Sequence, residues 1–452
     1  MLRSELKMEE TNSFLYFFLA CRRRFKRMTV DDIQDYQLKK TQKIVDFAVE
    51  HSPFFKKYYQ GYDLHRVGEL PLINKKIMMD NLTEYNTVGF SKQEMLDFCL
   101  NEEKLKTYNT RFHGYNVAMS SGTSGNKGIV ITSPAEEKYL QAAFFARFPF
   151  PPVLPIRWAF ILRITTPAFN VKKFGQRLHH ISLLKPRAEI ISEIQELNPN
   201  IISAPPSMLQ MIAKEVANGT LSIDPKRIIS YAEVLSNDVK EEIEHIFGMK
   251  VFQVYQCSEG GIALPCKYGS LHINEDLVHV QTLNIDGSPT PPGIPCHKML
   301  VTDLHKRSQP IIRFELNDII TTSAVPCECG SSFRVIAQIM GRADDLFLGL
   351  REDSNEEEYI FPDYIGRAII QSSEDIEQYQ AIQKGYSKII IRITPKTENW
   401  DFSEITTQIE NNIRDVFRSY KCQLPQIEIL SEAPIINPMS QKLIRIHRDF
   451  KH

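Results

Sequence analysis

Residues 120–128 read Ser-Ser-Gly-Thr-Ser-Gly-Asn-Lys-Gly, and Ile-Val-Ile-Thr follows directly as residues 129–132. We call residues 120–128 the glycine-rich loop; it supplies three glycines, four hydroxyls and one lysine. Glycine lets backbone N–H groups approach an anion closely, and successive N–H groups in a turn form a concave anion site. Hydroxyls and a lysine add donors that suit negative charge. We therefore predict that the loop binds a phosphate chain and that a strand follows it.

Two other interpretations of the glycine-rich loop are less satisfactory. It is not a Walker loop, because Lys127 is not followed by Ser or Thr and the next element is predicted to be a strand. A flexible Ser/Gly linker is the second alternative, but a linker needs neither a lysine nor a strand that begins immediately after it. A phosphate site therefore remains the favoured interpretation.

Length and charge limit what the whole chain can be. The 452 residues suffice for one large domain and a smaller one, or for three domains. The 54 Lys and Arg residues nearly balance 55 Asp and Glu residues, so no global field favours nucleic acid. Eight cysteines are too few for a disulfide scaffold in a chain of this length. We expect a cytoplasmic protein without a nucleic-acid partner; the oligomeric state is open and is compatible with a dimer.

A short apolar patch near the N-terminus, residues 14–21, ends in Arg22-Arg23-Arg24. The patch is too short to span a bilayer, and no basic segment precedes it. We therefore expect neither a membrane span nor a signal peptide here, while a helix lying at a membrane surface stays open as an alternative.

The middle of the chain alternates between strand and helix patterns. Strands are predicted at residues 158–162, 201–203, 228–230 and 250–254, with helices at 188–196, from 208 and at 236–247. Such alternation is typical of βαβ units in a parallel sheet. Ligands of such sheets gather at the carboxyl ends of the strands.

The predicted secondary structure changes after Glu259. Short, turn-rich strands predict a β-rich subdomain to about Gly341, and the last part predicts a hairpin (377–383 with 387–393), a helix (403–418) and a strand (426–430). The predicted fold class is α/β. A large N-terminal domain (1–345) with parallel sheets and the β-rich subdomain precedes a small, mobile α+β domain (346–452).

Three more stretches could carry chemistry. Tyr255 directly follows the predicted strand 250–254 and could stack on a purine, and Glu259 four residues later could hold Mg²⁺. Asp318 could accept both hydroxyls of a ribose, and Arg342 could serve a phosphate. Lys442 lies in the tail. Taken singly, the stretch from Tyr255 to Glu259 is equally well explained as an ordinary turn, whereas Asp318 and Arg342 are better explained as solvated charges and Lys442 as a surface lysine.

Their order along the chain is more specific. A Ser/Thr/Gly-Lys-Gly loop, Tyr-x-x-Ser-Glu, an Arg…Asp strand, Gly-Arg-x-Asp-Asp and a C-terminal lysine resemble the adenylate-forming superfamily of acyl-CoA synthetases and adenylation domains. The nearest likeness is to phenylacetate–CoA ligases and to synthetases that adenylate a deazaflavin coenzyme. Matching pieces at residues 51–54, 206–209, 232–233 and 269–276 extend the resemblance over almost the whole chain.

The resemblance implies an AMP-forming ligase. A carboxylate would attack the α-phosphate of ATP, giving an acyl-adenylate and pyrophosphate, and a thiol would then take the acyl group. CoA is the first candidate for that thiol. The small domain would rotate about a hinge at Asp345, and the catalytic residues would be Lys442, which faces charge developing at the α-phosphate, and Glu259.

The resemblance also assigns the nucleotide-binding residues. The β- and γ-phosphates would be held by Ser121, Gly122, Thr123, Ser124, Gly125, Lys127 and Gly128. The adenine would be lined by Ala232, Glu233 and Tyr255. Ser258 would contact phosphate, Glu259 would bind Mg²⁺, Asp318 would bind the ribose and Arg342 would contact the ribose–phosphate side.

Several departures from the family pattern leave the acceptor open. Residues 350–359 replace the Arg-Gly-x-Asn segment that helps to admit CoA, Gln441 replaces a glycine before Lys442, and Tyr231 stands where glycine is frequent. The Gly-containing pair that usually follows the tyrosine is here Gln256-Cys257. The acceptor could thus be CoA, a carrier protein, another protein thiol or a coenzyme that is itself adenylylated. A catalytically silent nucleotide-binding protein is the third reading, and the acid itself cannot be read from the sequence.

Cysteine and histidine form a separate group. Cys266-x5-His272 and Cys327-x-Cys329 offer three thiolates and one imidazole, a set suited to tetrahedral Zn²⁺. Unrelated free thiols are the alternative. A similar zinc-bearing loop in phenylacetate–CoA ligase relatives favours a structural zinc.

Overall fold

The computed structural model describes residues 13–105, 110–119, 128–162, 177–183, 185–342, 346–360, 362–397, 400–436 and 443–450. The chain divides into two compact units. The large unit comprises Met1–Leu316 and Thr321–Gln338, and the small unit comprises Asn317–Ile320 and Ile339–His452. Asp345 lies outside the described residues, so the predicted domain boundary and hinge at this residue stay predictions.

The following bounds hold for the described residues. The helices of the large unit are α1 (Phe14–Arg27), α2 (Val30–His51), α3 (Pro53–Tyr58), α4 (Lys75–Asp80), α5 (Leu82–Tyr85), α6 (Lys92–Leu105), α7 (Pro134–Arg147), α8 (Arg187–Leu197), α9 (Pro206–Ala217) and α10 (Asn237–Phe247). Its strands are β1 (Asn116–Met119), β2 (Ile129–Thr132), β3 (Arg157–Leu162), β4 (Arg177–Ser182), β5 (Ile201–Ala204), β6 (Arg227–Ser230), β7 (Val251–Gln253), β8 (Tyr255–Cys257), β9 (Gly260–Pro265), β10 (Leu271–Ile273), β11 (Val278–Leu283), β12 (Lys298–Asp303) and β13 (Phe314–Leu316).

The unit boundary passes through the next two strands, β14 (Asp318–Thr322) and β15 (Val335–Arg342). The small unit continues with β16 (Phe347–Leu350), β17 (Glu357–Ile360), α11 (Pro362–Ile370), β18 (Ile376–Gly385), β19 (Lys388–Pro395), α12 (Phe402–Ser419), β20 (Gln426–Leu430) and β21 (Ile446–Arg448). Among the helices described, none combines the length and the apolar character that crossing a membrane requires.

A five-stranded parallel sheet forms the centre of the large unit, in the order β4-β3-β5-β6-β7. Strand residues alternate between its two faces. Trp158 and Phe160 contribute to an aromatic cluster on one face, whereas Ala159 and Ile161 contribute to the aliphatic cluster on the other. A parallel sheet with both faces covered produces strands that are apolar along their whole length. The predicted parallel sheet is therefore confirmed.

The remaining sheets of the large unit are built mainly from short antiparallel strands. β8, β9, β10, β15 and β14 form a sheet in the order β14-β15-β10-β9-β8, and β11, β12 and β13 form a second sheet. β1 and β2 form a separate antiparallel pair. These sheets account for the turn-rich texture that the sequence has after Glu259.

The small unit is an α+β structure. Its four-stranded sheet has the order β20-β19-β18-β21, in which β18 and β19 form the predicted antiparallel hairpin. One face of α12 buries Ile405, Ile409, Ile413 and Phe417, at the spacing of an amphipathic helix. Asp401 caps this helix, because its Oδ1 accepts a hydrogen bond from the Glu404 N–H at 2.9 Å.

A buried ionic network connects α1 to the rest of the large unit. The Arg147 guanidinium donates to Asn274 Oδ1 at 2.6 Å and to Asp276 Oδ1, and both charged side chains of this ion pair are 1% exposed or less. Arg24 of α1 donates to the Tyr139 hydroxyl of α7 at 3.0 Å and lies 4.0 Å from Asp276 Oδ2. The apolar patch of α1 is thereby turned inward at Phe17, which packs on Tyr139, while Leu15 and Leu19 stay exposed.

We expect Arg147→Met to destabilise the large unit by about 3–5 kcal/mol, because it leaves Asp276 as a buried charge without its principal partner. Urea unfolding, followed by the fluorescence of Trp158 in a Trp400→Phe background, measures this loss. Lys39→Met removes an exposed ion pair one helical turn from Asp35 and is expected to cost about 0.5 kcal/mol or less. Equal effects of the two substitutions would contradict the importance of the buried network.

Candidate functional site

Three of the predicted nucleotide-binding residues lie at the carboxyl edge of the parallel sheet. Ala232 and Glu233 follow β6, and Tyr255 follows β7, the next strand of the sheet. The two strand ends are joined, because the Val254 N–H donates to the Ser230 carbonyl at 2.9 Å. The topology therefore brings these residues together at the edge where open α/β sheets bind ligands.

The carboxylate of Glu233 has a defined partner at this edge. Its two oxygens accept hydrogen bonds from the Ser207 N–H at 3.1 Å and from the Ser207 hydroxyl at 3.0 Å. Ser207 lies in the first turn of α9, where backbone N–H groups lack partners within the helix. Glu233 thus caps α9 and connects the ends of β5 and β6. Its role in lining the adenine stays a prediction.

Backbone strain marks the same turn. Ala232 has a φ of 68°, in the left-handed region that a residue with a Cβ adopts at a cost of about 1–3 kcal/mol. The preceding Tyr231 points back to the sheet: its ring stacks on Phe160 at 5.4 Å and its hydroxyl donates to the Ile161 carbonyl at 2.7 Å. Tyr231 therefore supports the turn from the side of the sheet.

Ser258 and Glu259 form the tip of a tight hairpin between β8 and β9, in which Cys257 pairs with Gly260. Both tip residues are half-buried. A Cβ at Gly260 would lie 3.3 Å from Val278 Cγ1 and 3.4 Å from Asp303 Oδ2, so a larger residue there would push the hairpin away from β11 and β12. Glycine thus allows the predicted phosphate and Mg²⁺ residues to lie close to the end of β12.

The strand that leaves the glycine-rich loop is held by residues that the sequence did not single out. Gln309 is buried; its Oε1 accepts from the Ile131 N–H and its Nε2 donates to the Ile129 carbonyl, both at 2.9 Å. Gln309 therefore bonds to β2 as a neighbouring strand would. The Ser308 hydroxyl adds a bond to the Ile131 carbonyl at 3.0 Å. Residues 120–127 lie outside the described part of the chain, and Gly128 is buried at the start of β2.

The other predicted residues belong to the small unit. Asp318 begins β14 and is half-buried, and Arg342 ends β15. Lys442 lies outside the described residues, as does Asp345. The assignments of these residues therefore stay predictions.

The four predicted metal ligands come together. One ligand atom from each of Cys266, His272, Cys327 and Cys329 lies within 4.8 Å of all the others. Cys266 Sγ is 3.7 Å from Cys327 Sγ, and Cys329 Sγ is 3.3 Å from His272 Nε2. Three thiols and one imidazole in this arrangement could hold one tetrahedral Zn²⁺ ion.

The surroundings of this cluster favour a neutral histidine, as a metal requires, whereas they disfavour a thiolate at Cys329 unless a cation is bound. Burial lowers the pKa of His272, which favours the neutral imidazole, and His272 Nδ1 lies 2.8 Å from the Phe333 carbonyl, so Nε2 is left for the thiols. Burial, followed by the neighbouring thiols, raises the pKa of Cys329 to about 12. A divalent cation would remove that repulsion. The donor set therefore fits zinc.

Comparison with known proteins finds relatives that are similar in sequence to part of this chain. No protein-family profile matches the chain. The phenylacetate-coenzyme A ligase of Thermus thermophilus is 25% identical over 199 residues, which cover 42% of this chain and 43% of that ligase. Protein CapK of Staphylococcus aureus is 22% identical over 205 residues, covering 44% of this chain and 43% of that protein. The match thus spans less than half the length of either relative.

Solved structures extend the comparison to nearly the whole chain. A 2-hydroxyisobutyryl-CoA ligase in the postadenylation state has a TM-score of 0.71 at 15% identity, covering 94% of this chain and 91% of that chain. The chain has the adenylate-forming ligase fold. An anthranilate CoA ligase in complex with anthranoyl-AMP follows with a TM-score of 0.53 at 15% identity, covering 73% of this chain and 66% of that one. The predicted α/β fold class and the resemblance to the adenylate-forming superfamily are confirmed.

Asp303, at the end of β12 beside the Ser258–Glu259 hairpin, makes the stability of this adenylate-forming fold depend on pH. Burial raises the pKa of Asp303 from 3.8 to about 6. Hydrogen bonds from the backbone N–H groups of His305 and Lys306 act to lower this pKa, but burial has the larger effect. The folded state thus binds a proton more readily than the unfolded state, so stability from this group falls as pH rises from 4 to above 6.

We expect Asp303→Asn to remove this dependence. Relative to the variant, the wild-type protein should lose about 2 kcal/mol of unfolding free energy between pH 4.5 and pH 7.5, because only the wild type must bury a carboxylate at the higher pH. Urea unfolding of both proteins at the two pH values measures the difference. If the difference in unfolding free energy between the two proteins is the same at both pH values, Asp303 does not titrate in this range.

Proposed function

We propose that the protein is an ATP-dependent, AMP-forming ligase that activates a carboxylic acid as its acyl-adenylate. The observation that carries the proposal is the position of Tyr255, Ser258 and Glu259 on this fold. These residues follow β7 at the carboxyl edge of the parallel sheet, and Gly260 lets their hairpin lie against β12. The local similarity to a phenylacetate-coenzyme A ligase supports the same chemistry.

In the proposed reaction, a carboxylate oxygen attacks the α-phosphorus of ATP. The bond from that phosphorus to the bridging oxygen of the β-phosphate breaks, and pyrophosphate leaves. The glycine-rich loop and Ser258 would hold the leaving phosphates, Asp318 and Arg342 the ribose side, and Lys442 would face the charge that develops at the α-phosphate. Glu259 would bind Mg²⁺, which neutralises phosphate charge when it is present.

CoA is the first candidate for the acceptor of the acyl group, and one observation favours a different acceptor. The hairpin formed by β16 and β17 contains Glu352, Asp353 and the acidic run 356–358, with a single guanidinium at Arg351. That guanidinium is shared between Asp353 at 3.1 Å and Glu358 at 3.6 Å. Excess negative charge repels a polyphosphate such as CoA. A carrier-protein thiol, another protein thiol or a coenzyme that is adenylylated is therefore the second candidate.

We expect the protein to catalyse ATP–pyrophosphate exchange that depends on a carboxylic acid. A library of aryl and small organic acids, assayed with labelled pyrophosphate, identifies the acid. Lys442→Ala should lower the exchange rate by about 100-fold or more, since it removes a cation directed at the reacting phosphate. Lys388→Ala, which removes a surface lysine paired with Glu428, should leave the rate unchanged.

The same assay distinguishes the acceptors. Exchange together with acyl-CoA formation supports the CoA ligase, whereas exchange without acyl-CoA supports a different acceptor. Absence of exchange with every acid, together with ATP binding, would leave a catalytically silent nucleotide-binding protein and overturn the proposed reaction.

We also propose that Cys266, His272, Cys327 and Cys329 hold a structural Zn²⁺ ion. The cluster packs against α1: the Phe25 ring meets the His272 ring edge-on at 5.2 Å, and the Ser331 hydroxyl donates to the Phe25 carbonyl at 2.7 Å. A metal here would therefore connect two strands, the knuckle at residues 327–330 and the N-terminal helix.

We expect the purified protein to contain one zinc ion per chain by elemental analysis. The double variant Cys327→Ala/Cys329→Ala should lose the ion and melt at a lower temperature, because two of the four ligands are removed. Cys296→Ala, which alters a buried cysteine outside the cluster, should keep the zinc. Stoichiometric zinc in the double variant would rule out this ligand set.

A further inference from the structure

Lys306 is a buried lysine next to the Ser258–Glu259 hairpin. It lies in the segment that connects β12 to β13, and only 7% of its surface is exposed. Its ammonium donates to the Ser258 carbonyl at 3.5 Å, at the outer limit of a hydrogen bond. An ammonium has three N–H donors, so one long bond to a neutral oxygen leaves most of its capacity unused.

Two carboxylates of this region, those of Asp303 and Glu136, bond to the backbone of the segment that contains Lys306. No carboxylate oxygen of the described residues lies within 4.0 Å of its ammonium. Asp303 Oδ1 is occupied by the backbone N–H groups of His305 and Lys306. Burial still raises the pKa of Asp303 to about 6, although the charge of Lys306 acts to lower it.

The carboxylate of Glu136, which bonds to the next two residues of the segment, is also occupied. One oxygen accepts from the backbone N–H groups of Arg307 and Ser308, and the other accepts from the Ser133 N–H and the Ser308 hydroxyl, all at 2.6–2.8 Å. Taking an ammonium out of water without a partner costs several kcal/mol. A buried cation of this kind calls for an anion supplied by a ligand.

The position of the Lys306 ammonium indicates which ligand would supply this anion. Residues 306–309 bond to the Ser258–Glu259 hairpin and to β2, the strand that follows the glycine-rich loop. Lys306 reaches the Ser258 carbonyl, and Ser308 and Gln309 bond to Ile131 and Ile129 of β2. The ammonium therefore lies beside Ser258, a residue that is predicted to contact phosphate.

We propose that Lys306 is a phosphate-binding residue, whose ammonium pairs with a phosphate oxygen of the bound nucleotide. The assignment rests on the proposed function and adds a second cation to Lys127 of the glycine-rich loop. It also explains a lysine that is buried although no carboxylate oxygen of the described residues lies within 4.0 Å of its ammonium. A structural partner of Asp303 is the competing explanation.

The test compares Lys306→Met, which keeps the volume and removes the charge, with Lys306→Arg, which keeps the charge, in the full-length protein. Arg307→Met is the matched control, since Arg307 is the exposed neighbour whose guanidinium lies over the Phe47 ring. Calorimetry measures the affinity for ATP and for adenosine without any acid present, and thermal melting is recorded without ligand.

Lys306→Met should bind ATP about 10- to 100-fold more weakly, the effect of losing a buried hydrogen bond to a charged group, while adenosine binding stays unchanged. Lys306→Arg should recover a large part of the affinity, and Arg307→Met should bind as the wild type does. Without ligand, Lys306→Met should melt at the same temperature as the wild type or higher, because an unpaired buried charge has been removed.

Three outcomes overturn the proposal. The first is wild-type affinity of Lys306→Met for ATP, and the second is an equal loss of affinity for adenosine. The third is a melting temperature that, without ligand, falls by many degrees in Lys306→Met and is restored when Asp303→Asn is added to that variant. This result would identify Lys306 and Asp303 as a structural pair. If the first outcome is accompanied by a raised KM for the acid, the ammonium is assigned to the carboxylate of the substrate instead.

Failure of the proposed function is recognised separately. If the wild-type protein neither binds ATP nor catalyses exchange, inorganic pyrophosphate serves as the probe. Pyrophosphate that raises the melting temperature of the wild type and of Arg307→Met, but not of Lys306→Met, supports Lys306 as a phosphate ligand without ligase activity. Equal stabilisation of all three proteins, or of none, overturns the assignment.

Discussion

Burial of the parallel sheet on both faces is the constraint on which the arrangement of the large unit depends. Trp158, Phe160 and Phe252 cover one face, and the aliphatic residues of β3, β5, β6 and β7 cover the other together with α8 to α10. Because all five strands run in the same direction, their carboxyl ends lie at a single edge. The polar residues that follow β6 and β7 are therefore neighbours, although more than twenty residues separate them in the chain.

The segment from Asp303 to Gln309 organises the second half of this edge. It bonds to the strand that leaves the glycine-rich loop through Ser308 and Gln309, and to the Ser258 carbonyl through Lys306. Asp303 and Glu136 use their oxygens to hold its backbone. The segment thus links β2 to the Ser258–Glu259 hairpin, which suits the proposed function, in which a polyphosphate is held in one position while a bond to it is broken.

Sequence patterns predicted the parallel sheet because its strands are apolar on both faces and alternate with amphipathic helices. They missed β4, an edge strand with the mixed sequence Arg-Leu-His-His-Ile-Ser, since an edge strand is less buried than a central one. The cluster of Cys266, His272, Cys327 and Cys329 was predictable from the chemistry and spacing of these residues. Glu233 as the cap of α9, Tyr231 as a support from the sheet side and Gln309 as a substitute strand were not, because each acts on a partner distant in sequence.

The amino-acid sequence alone determined the α/β class, the glycine-rich loop with its strand, and the group of three cysteines and one histidine. These depend on local composition and periodicity, which a chain carries wherever it folds. Only the tertiary structure decided that Lys306 is buried, with no carboxylate oxygen of the described residues within 4.0 Å of its ammonium, because burial and charge pairing are set by side chains brought together from β8, β12 and the segment that follows it. In the sequence, Lys306 is one lysine among many; in the fold, it is a buried cation beside Ser258.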